Sequence, residues 1–194
     1  MKHATKLKLP PIPIYSAYAT VPQRFVGVNA GEATTLISYY LPKQQFEEVK
    51  NILPPLLQQH LMSVTILQVR KCFPHVHVGT GTSAINCYIE TNGETMTFHE
   101  GNEDNENIIR FEDEQNGYIL PPLDKIVDVE SYVAEEGDMW LINLETAHSV
   151  TNIPNEPNLE KRYATSDGNF RLMLHIAFNL KYDVVLDQLK KYIV

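Results

Sequence analysis

The sequence contains few cysteines and no apolar run long enough to cross a membrane. Its 194 residues include only two cysteines, Cys72 and Cys87, and a chain of this length can bury a sufficient hydrophobic core without disulfides. We therefore expect both to be buried free thiols of a cytoplasmic protein, where the environment is reducing. No stretch approaches the roughly 20 apolar residues that span a bilayer, and prolines interrupt the amino-terminal stretch before it could form a signal-peptide core.

Positive charge is also scarce. Acidic residues outnumber basic ones by 24 to 16, which gives a formal net charge of -8. Binding to nucleic-acid phosphates or to anionic lipid requires a surplus of Lys and Arg, so we expect neither nucleic acid nor membrane as a partner. The composition favours a single globular domain over residues 1–194. The sequence leaves the oligomeric state open.

Alternating, β-rich segments dominate the chain after residue 60. At least seven of them, from SVTILQVRKCF to FRLMLHIAF, are separated by turn-rich stretches. Helical spacing occurs only at the flanks, from Pro42 to about Asn51 and in the segment at residues 183–194. The pattern predicts a mainly β fold, a sandwich or a barrel. It also predicts an extended amino-terminal arm over residues 1–30, a β core over residues 62–180 and a carboxy-terminal helix over residues 183–194.

Two long polar connections interrupt the β segments. Residues 100–114 are strongly acidic, and residues 152–169 are rich in Asn, Pro and charged residues. A connection of this length is either a solvated loop or a lid over a functional site. Both interpretations stay open for each connection.

Three histidines form a pattern that is typical of a metal site. His75 and His77 stand two positions apart directly after Pro74, and His148 begins another β segment far downstream. In a strand, residues two apart share one face with Cα atoms roughly 6–7 Å apart, so two imidazoles can reach one metal ion with bonds of about 2 Å. Three protein ligands leave coordination positions for a substrate or for oxygen. A histidine in a strand is also often purely structural, so this alternative stays beside the metal site.

Several motifs occur together in a recognisable order. His75 is followed by Ala84-Ile85-Asn86 and by the turn and strand NGETMTF at residues 92–98. The segments EGDMWLIN at residues 136–143, AHSVTN at residues 147–152 and FRLML at residues 170–174 come next. Together these motifs resemble the aspartyl/asparaginyl β-hydroxylase-like branch of the 2-oxoglutarate/Fe(II)-dependent oxygenases. The resemblance covers roughly residues 70–180.

The resemblance implies a double-stranded β-helix, that is, a cupin-like jelly roll with flanking helices. It also implies an Fe(II) oxygenase that hydroxylates an unidentified substrate and oxidatively decarboxylates 2-oxoglutarate to succinate. His75 would be the proximal iron ligand and His148 the distal one, while Arg171 would pair with the outer carboxylate of 2-oxoglutarate. Asn86 is a candidate for holding the other end of the keto acid. The role of Arg171 has independent support, because an arginine inside an otherwise apolar strand is costly without an anion, and a guanidinium binds a carboxylate through two parallel hydrogen bonds.

The sequence departs from the family pattern in two places. The acid that the family has two residues after its first histidine is replaced by His77, so a three-histidine site would be one charge more positive; alternatively, His77 is itself the proximal ligand. The connection at residues 152–169 is longer than expected, so Arg162 within it competes with Arg171 as the carboxylate binder. Two other functions stay open: a cupin-like three-histidine metal enzyme that does not use 2-oxoglutarate, and a non-catalytic β-helix binding module.

Overall fold

The computed structural model describes residues 2–12, 24–26, 36–69, 72–79, 81–101, 108–110, 117–119, 122–158, 161–162 and 171–194. Within these residues the strands form two antiparallel sheets, one of seven strands and one of six. The strands are β1 (Ala4–Leu7), β2 (Arg24–Val26), β3 (Leu36–Tyr40), β4 (Leu61–Val69), β5 (Cys72–Val78), β6 (Ser83–Glu90), β7 (Thr95–Gly101), β8 (Ile108–Arg110), β9 (Gly117–Ile119), β10 (Ile126–Val133), β11 (Met139–Asn143), β12 (Ala147–Thr151) and β13 (Arg171–Phe178).

Helices are few in the described part of the chain and lie at its flanks, as the sequence predicts. They are α1 (Lys43–Ile52), α2 (Pro55–Gln59) and α3 (Tyr182–Gln188), with short 3-10 turns at Leu123–Lys125 and Lys190–Tyr192. Pro42 occupies the N-cap of α1, and Pro55 is the first helical residue of α2, where the missing N–H would have no partner within the helix. None of the described helices combines the length and apolar character that crossing a membrane requires.

Eight strands form one long antiparallel ribbon that is rolled into a barrel. In the larger sheet β4 pairs with β13 and β6 with β11; in the smaller sheet β5 pairs with β12 and β7 with β10. Both arms of the ribbon therefore pass back and forth between the sheets together, which gives the orders β11-β6-β13-β4 and β10-β7-β12-β5. This nested pairing defines the double-stranded β-helix or jelly roll. The predicted fold class, a mainly β, cupin-like jelly roll with flanking helices, is confirmed.

The remaining strands extend the two sheets at their edges. β1 pairs with β11, and β3 and β2 continue the larger sheet beyond β4. β9 and β8 continue the smaller sheet beyond β5. The arm predicted over residues 1–30 contains β1 within its residues 2–12. Its residues 13–23 and 27–30 lie outside the described residues. The predicted domain boundaries stay a prediction. The acidic connection at residues 100–114 contains β8, and its residues 102–107 and 111–114 lie outside the described residues. In the second connection, residues 159–160 and 163–169 also lie outside them.

The alternation of β13 separates two hydrophobic clusters. Leu172, Leu174, Ile176 and Phe178 pack against the helices on the outer face of the larger sheet. Met173 belongs to the cluster between the two sheets. Because successive side chains of a strand point to opposite faces, Arg171 and His175 share the inner face with Met173. The strand thereby carries two polar side chains into the barrel interior.

Candidate metal centre

The histidine pair lies inside β5 because the chain changes sheets just before it. The alternating pattern predicts one strand from Ser63 to Phe73 that ends at the pair, and this prediction is wrong. The structure has two strands, β4 in the larger sheet and β5 in the smaller one. His75 and His77 consequently occupy the middle and end of β5, on the face that the period of two predicts.

The structure brings the three predicted ligands together. His148 in β12 lies directly opposite His75 in the strand register. The ring centroids are 4.5 Å apart for His75 and His148, 5.2 Å for His75 and His77, and 5.1 Å for His77 and His148. One nitrogen of each ring lies within 4.8 Å of the others, and within the described part of the chain this is the only cluster with metal-binding geometry. His75 and His148 are buried and His77 is half-buried.

Backbone hydrogen bonds fix the rings of two of these histidines. Nδ1 of His75 donates to the carbonyl of Phe73 at 2.8 Å, and Nδ1 of His148 donates to the carbonyl of Thr146 at 2.9 Å. A carbonyl can only accept, so Nδ1 carries the proton and the neutral ring presents its lone pair at Nε2. Metal-binding histidines in proteins are held by the same kind of bond from the other ring nitrogen. Both rings therefore fit the role of ligand.

Burial keeps all three imidazoles neutral near pH 7. It lowers the pKa of His75 to about 4, and the positive charge of Arg171 acts in the same direction. Burial also lowers the pKa of His77 and of His148 well below the ordinary value, with a further contribution from the neighbouring histidine in each case. The neutral imidazole is the form that binds a metal ion.

The donor set suits a divalent transition metal. Neutral imidazoles bind Fe, Zn, Cu and Ni readily. No Asp or Glu belongs to the cluster among the described residues. Within the described residues the centre therefore has His77 where the sequence comparison expects a carboxylate ligand.

Arg171 places an unneutralised charge in the same interior. Its side chain is 4% exposed, and its Nε is buried without a hydrogen-bond partner. The described residues provide no ion pair for it. Its Cζ lies 5.7 Å from the ring centroid of Tyr88. A buried guanidinium without an anion is unfavourable, so Arg171 is a candidate to bind an acidic group.

Asn86 lies beside the same strand, in β6. Nδ1 of His175 donates to Oδ1 of Asn86 at 2.8 Å, and both residues are buried. Burial, together with the charge of Arg171, lowers the pKa of His175 to about 4, so this ring is neutral. Because Oδ1 of Asn86 accepts this hydrogen bond, the side-chain NH₂ of Asn86 is the group that could donate to a ligand. Its role in binding the keto acid stays a prediction.

The structure gives Arg162 a partner of its own. Its Nη1 lies 2.8 Å from Oδ2 of Asp128, and its Nε donates to the carbonyl of Glu156 at 2.9 Å. These contacts account for its charge without a ligand. Of the two arginines, Arg171 is therefore the better candidate for the carboxylate binder.

Sequence reasoning misses Tyr132, an interior residue of β10. Its hydroxyl lies 3.0 Å from that of Tyr88, and its ring stacks on Trp140 with centroids 3.9 Å apart and an interplanar angle of 9°. A β-bulge between Asp128 and Glu130 shifts the register of this strand. The bulge breaks the period of two that would otherwise identify the inward-facing residues.

A second polar cluster lies on the opposite face of the smaller sheet. Oγ of Ser149 donates to Nε2 of His99 at 2.8 Å, and Nδ1 of His99 donates to Oδ1 of Asp128 at 2.9 Å. These are the contacts of a serine-hydrolase triad. However, Ser149 is 0% and His99 2% exposed, whereas the Asp128 side chain is 48% exposed. The would-be nucleophile is therefore inaccessible to a substrate, and the cluster acts as a buried connection between β12, β7 and β10.

Comparison with known proteins finds similarity of structure to proteins of low sequence identity. No protein-family model matches the chain, and no curated protein matches it in sequence. Among solved structures, Escherichia coli ycfD aligns over 91% of this chain and 41% of its own (11% identity, TM-score 0.41). Bacillus subtilis oxalate decarboxylase aligns over 77% of this chain and 27% of its own (14%, 0.35), and vicilin from Corylus avellana (hazelnut) over 81% and 32% (11%, 0.37). The chain thus spans less than half the length of each of these structures.

Proposed function

We propose that this protein is an Fe(II)- and 2-oxoglutarate-dependent oxygenase that hydroxylates a small-molecule or peptide substrate. The observation that carries the proposal is that one barrel interior holds three neutral imidazoles and an unpaired, buried guanidinium. The imidazoles suit a divalent metal, and the guanidinium suits a carboxylate. The free thiols of Cys72 and Cys87 support a cytoplasmic location.

The charges of the site favour a ligand with two negative charges. Fe(II) would contribute two positive charges and Arg171 one, while the three histidines are neutral and no acid belongs to the cluster among the described residues. Charge of one sign is unfavourable in a low-dielectric interior. 2-Oxoglutarate carries two carboxylates at neutral pH, so its binding offsets most of this excess.

Each residue has a defined task in the proposed reaction. His75, His77 and His148 would hold the iron, with His77 in place of the family's acid, and Arg171 would orient the outer carboxylate of 2-oxoglutarate. Asn86 would donate to the other end of the keto acid. When bound, iron and 2-oxoglutarate supply the oxidative decarboxylation and the hydroxylation of a C–H bond. The apolar interior, to which Val150 and Met173 belong, excludes water from the site.

One observation favours a second candidate, a cupin-like three-histidine enzyme that does not use 2-oxoglutarate. The cluster contains no carboxylate ligand among the described residues, and a fourth neutral or anionic group from a different substrate could complete it. The two candidates differ in one measurable product, because only the oxygenase converts 2-oxoglutarate into succinate.

The test measures succinate formation by the Fe(II)-loaded protein in the presence of 2-oxoglutarate and oxygen. We expect uncoupled succinate formation by the wild type, loss of both metal binding and succinate in His148→Ala, and loss of succinate with retained metal binding in Arg171→Ala. Arg162→Ala is the matched control and should retain both. Metal binding without succinate in the wild type would favour the second candidate, and absence of metal binding would leave a non-catalytic binding module.

A further inference from the structure

The chain passes from one sheet to the other immediately before His148. β11 ends at Asn143 in the larger sheet, and β12 begins at Ala147 in the smaller sheet. Residues 144–146 therefore form a corner between the sheets, which we call the sheet corner. The strand ladders on either side do not include these residues, so other hydrogen bonds must set the conformation of the main chain there.

The buried side chain of Asn143 bonds the sheet corner at two points. Its Nδ2 donates to Oγ1 of Thr146 at 3.0 Å, and its Oδ1 accepts from the backbone N–H of Glu145 at 3.0 Å. The amide thereby uses its donor end and its acceptor end at once. Asparagine side chains that bond the backbone a few residues ahead organise turns in this way. Asn143 therefore restricts rotation of the main chain through the corner.

The sheet corner also contacts two of the three candidate metal ligands. The carbonyl of Thr146 accepts from Nδ1 of His148 at 2.9 Å. The carbonyl of Leu144 accepts from the backbone N–H of His77 at 3.3 Å. The bond that one ring nitrogen of a histidine makes decides which nitrogen carries the proton and which can bind a metal. The direction of the Thr146 carbonyl consequently controls the ring of His148.

We propose that Asn143 is a positioning residue of the metal centre, because it holds the sheet corner so that the carbonyl of Thr146 keeps the proton of His148 on Nδ1 and leaves Nε2 for the metal. The inference rests on the metal centre of the proposed function and deepens it. A second side chain approaches the corner, since Nδ1 of His3 lies 3.1 Å from Oγ1 of Thr146. That contact reaches the hydroxyl alone, whereas Asn143 spans the corner, so we assign the role to Asn143.

Nitrogen NMR of the metal-free full chain tests the proposal, because it distinguishes the two tautomers of a neutral imidazole. The chain has seven histidines, and the resonances of His148 are those that His148→Ala lacks. We expect the wild type to carry the proton on Nδ1. Asn143→Leu removes both hydrogen bonds at similar volume and should give a mixture of the two tautomers. Thr146→Val removes only the hydroxyl and should change the tautomer in the same direction to a smaller degree.

Titration with Co(II), whose absorption spectrum reports coordination geometry, gives a second measurement. We expect Asn143→Leu to weaken Co(II) binding about tenfold or more, as the loss of an outer partner of a metal ligand does, and to alter the spectrum. Thr146→Ser retains the hydroxyl and should keep the wild-type spectrum. His3→Ala is the matched control, because it removes the other side chain near the Thr146 hydroxyl and leaves the amide of Asn143 in place.

The outcomes separate this inference from the proposed function. An unchanged tautomer of His148 in folded Asn143→Leu overturns the inference, whatever the succinate assay shows. A lower Tm with an unchanged tautomer also overturns it, since the side chain then contributes to stability alone. If Asn143→Leu does not fold, Thr146→Val decides by the same criterion. If the wild type binds no Co(II), the proposed metal centre fails, and the tautomer comparison still decides whether Asn143 orients His148.

Discussion

Metal binding should stabilise this protein strongly, and the effect should depend on His148. The ligands come from β5 and β12, whose histidines are separated by roughly seventy positions in the chain, so the unfolded state does not hold them together. A metal that binds only the native state stabilises it by about 2.7 kcal/mol at a concentration of one hundred times Kd. Since about 1 kcal/mol changes Tm by roughly 2–4 °C in a domain of this size, we expect a rise of about 5–10 °C.

Differential scanning fluorimetry of chelator-treated protein, with and without Ni(II), measures this rise. Replacing His148 by Ala removes the ligand contributed by β12, and we expect the rise to disappear. His3→Ala is the control, because His3 is buried, 5% exposed, and lies outside the cluster; its metal-dependent rise should equal that of the wild type. His77→Ala tests whether His77 is a ligand. If it is, the metal-dependent rise in Tm of this variant is clearly smaller than that of the wild type. An undiminished rise in His148→Ala would refute the assigned centre.

Three further predictions concern the metal-free protein. As the pH falls from 6.5 towards 4, the unfolded state takes up protons that the buried His75 and His175 do not, so the free energy of urea unfolding should fall by on the order of 3 kcal/mol for each histidine; His175→Gln should make the pH dependence shallower. Arg171→Met should raise the free energy of unfolding by at least about 1 kcal/mol, because it removes a buried, unpaired cation, and a decrease would contradict this reasoning. Ser149 is inaccessible, so a fluorophosphonate probe should leave it unlabelled, as intact-mass spectrometry would show.

Local patterns predict the elements of this fold better than their pairing. The alternation of residues 171–178 identifies β13 and assigns its two faces correctly, because one face packs against helices and the other lines the barrel. The change of sheet between β4 and β5 is not visible in the same way, since both strands have similar composition and alternate without a turn-forming residue between them. Pairing across roughly a hundred positions depends on tertiary packing, which no local propensity encodes.

The candidate site shows the same division. Spacing alone puts His75 and His77 on one face, and the structure shows that His148 joins them; their role as ligands stays a prediction, as do those of Arg171 and Asn86. Tyr132 escapes sequence reasoning because the bulge at Asp128 reverses the faces of β10. The Asp128, His99 and Ser149 contacts escape it because each residue belongs to a different strand, and only the sheet order brings them side by side.

The nested pairing of the ribbon has a consequence for how this protein tolerates change. The distance between His75 and His148 is set by a ladder of main-chain bonds between adjacent strands, so it does not depend on the length of the connections. The two longest connections leave the ribbon between Gly101 and Ile126 and between Thr151 and Arg171. The entropy cost of lengthening such a connection grows only logarithmically. Insertions and substitutions in these two connections can therefore change the molecule while the spacing between His75 and His148 stays the same.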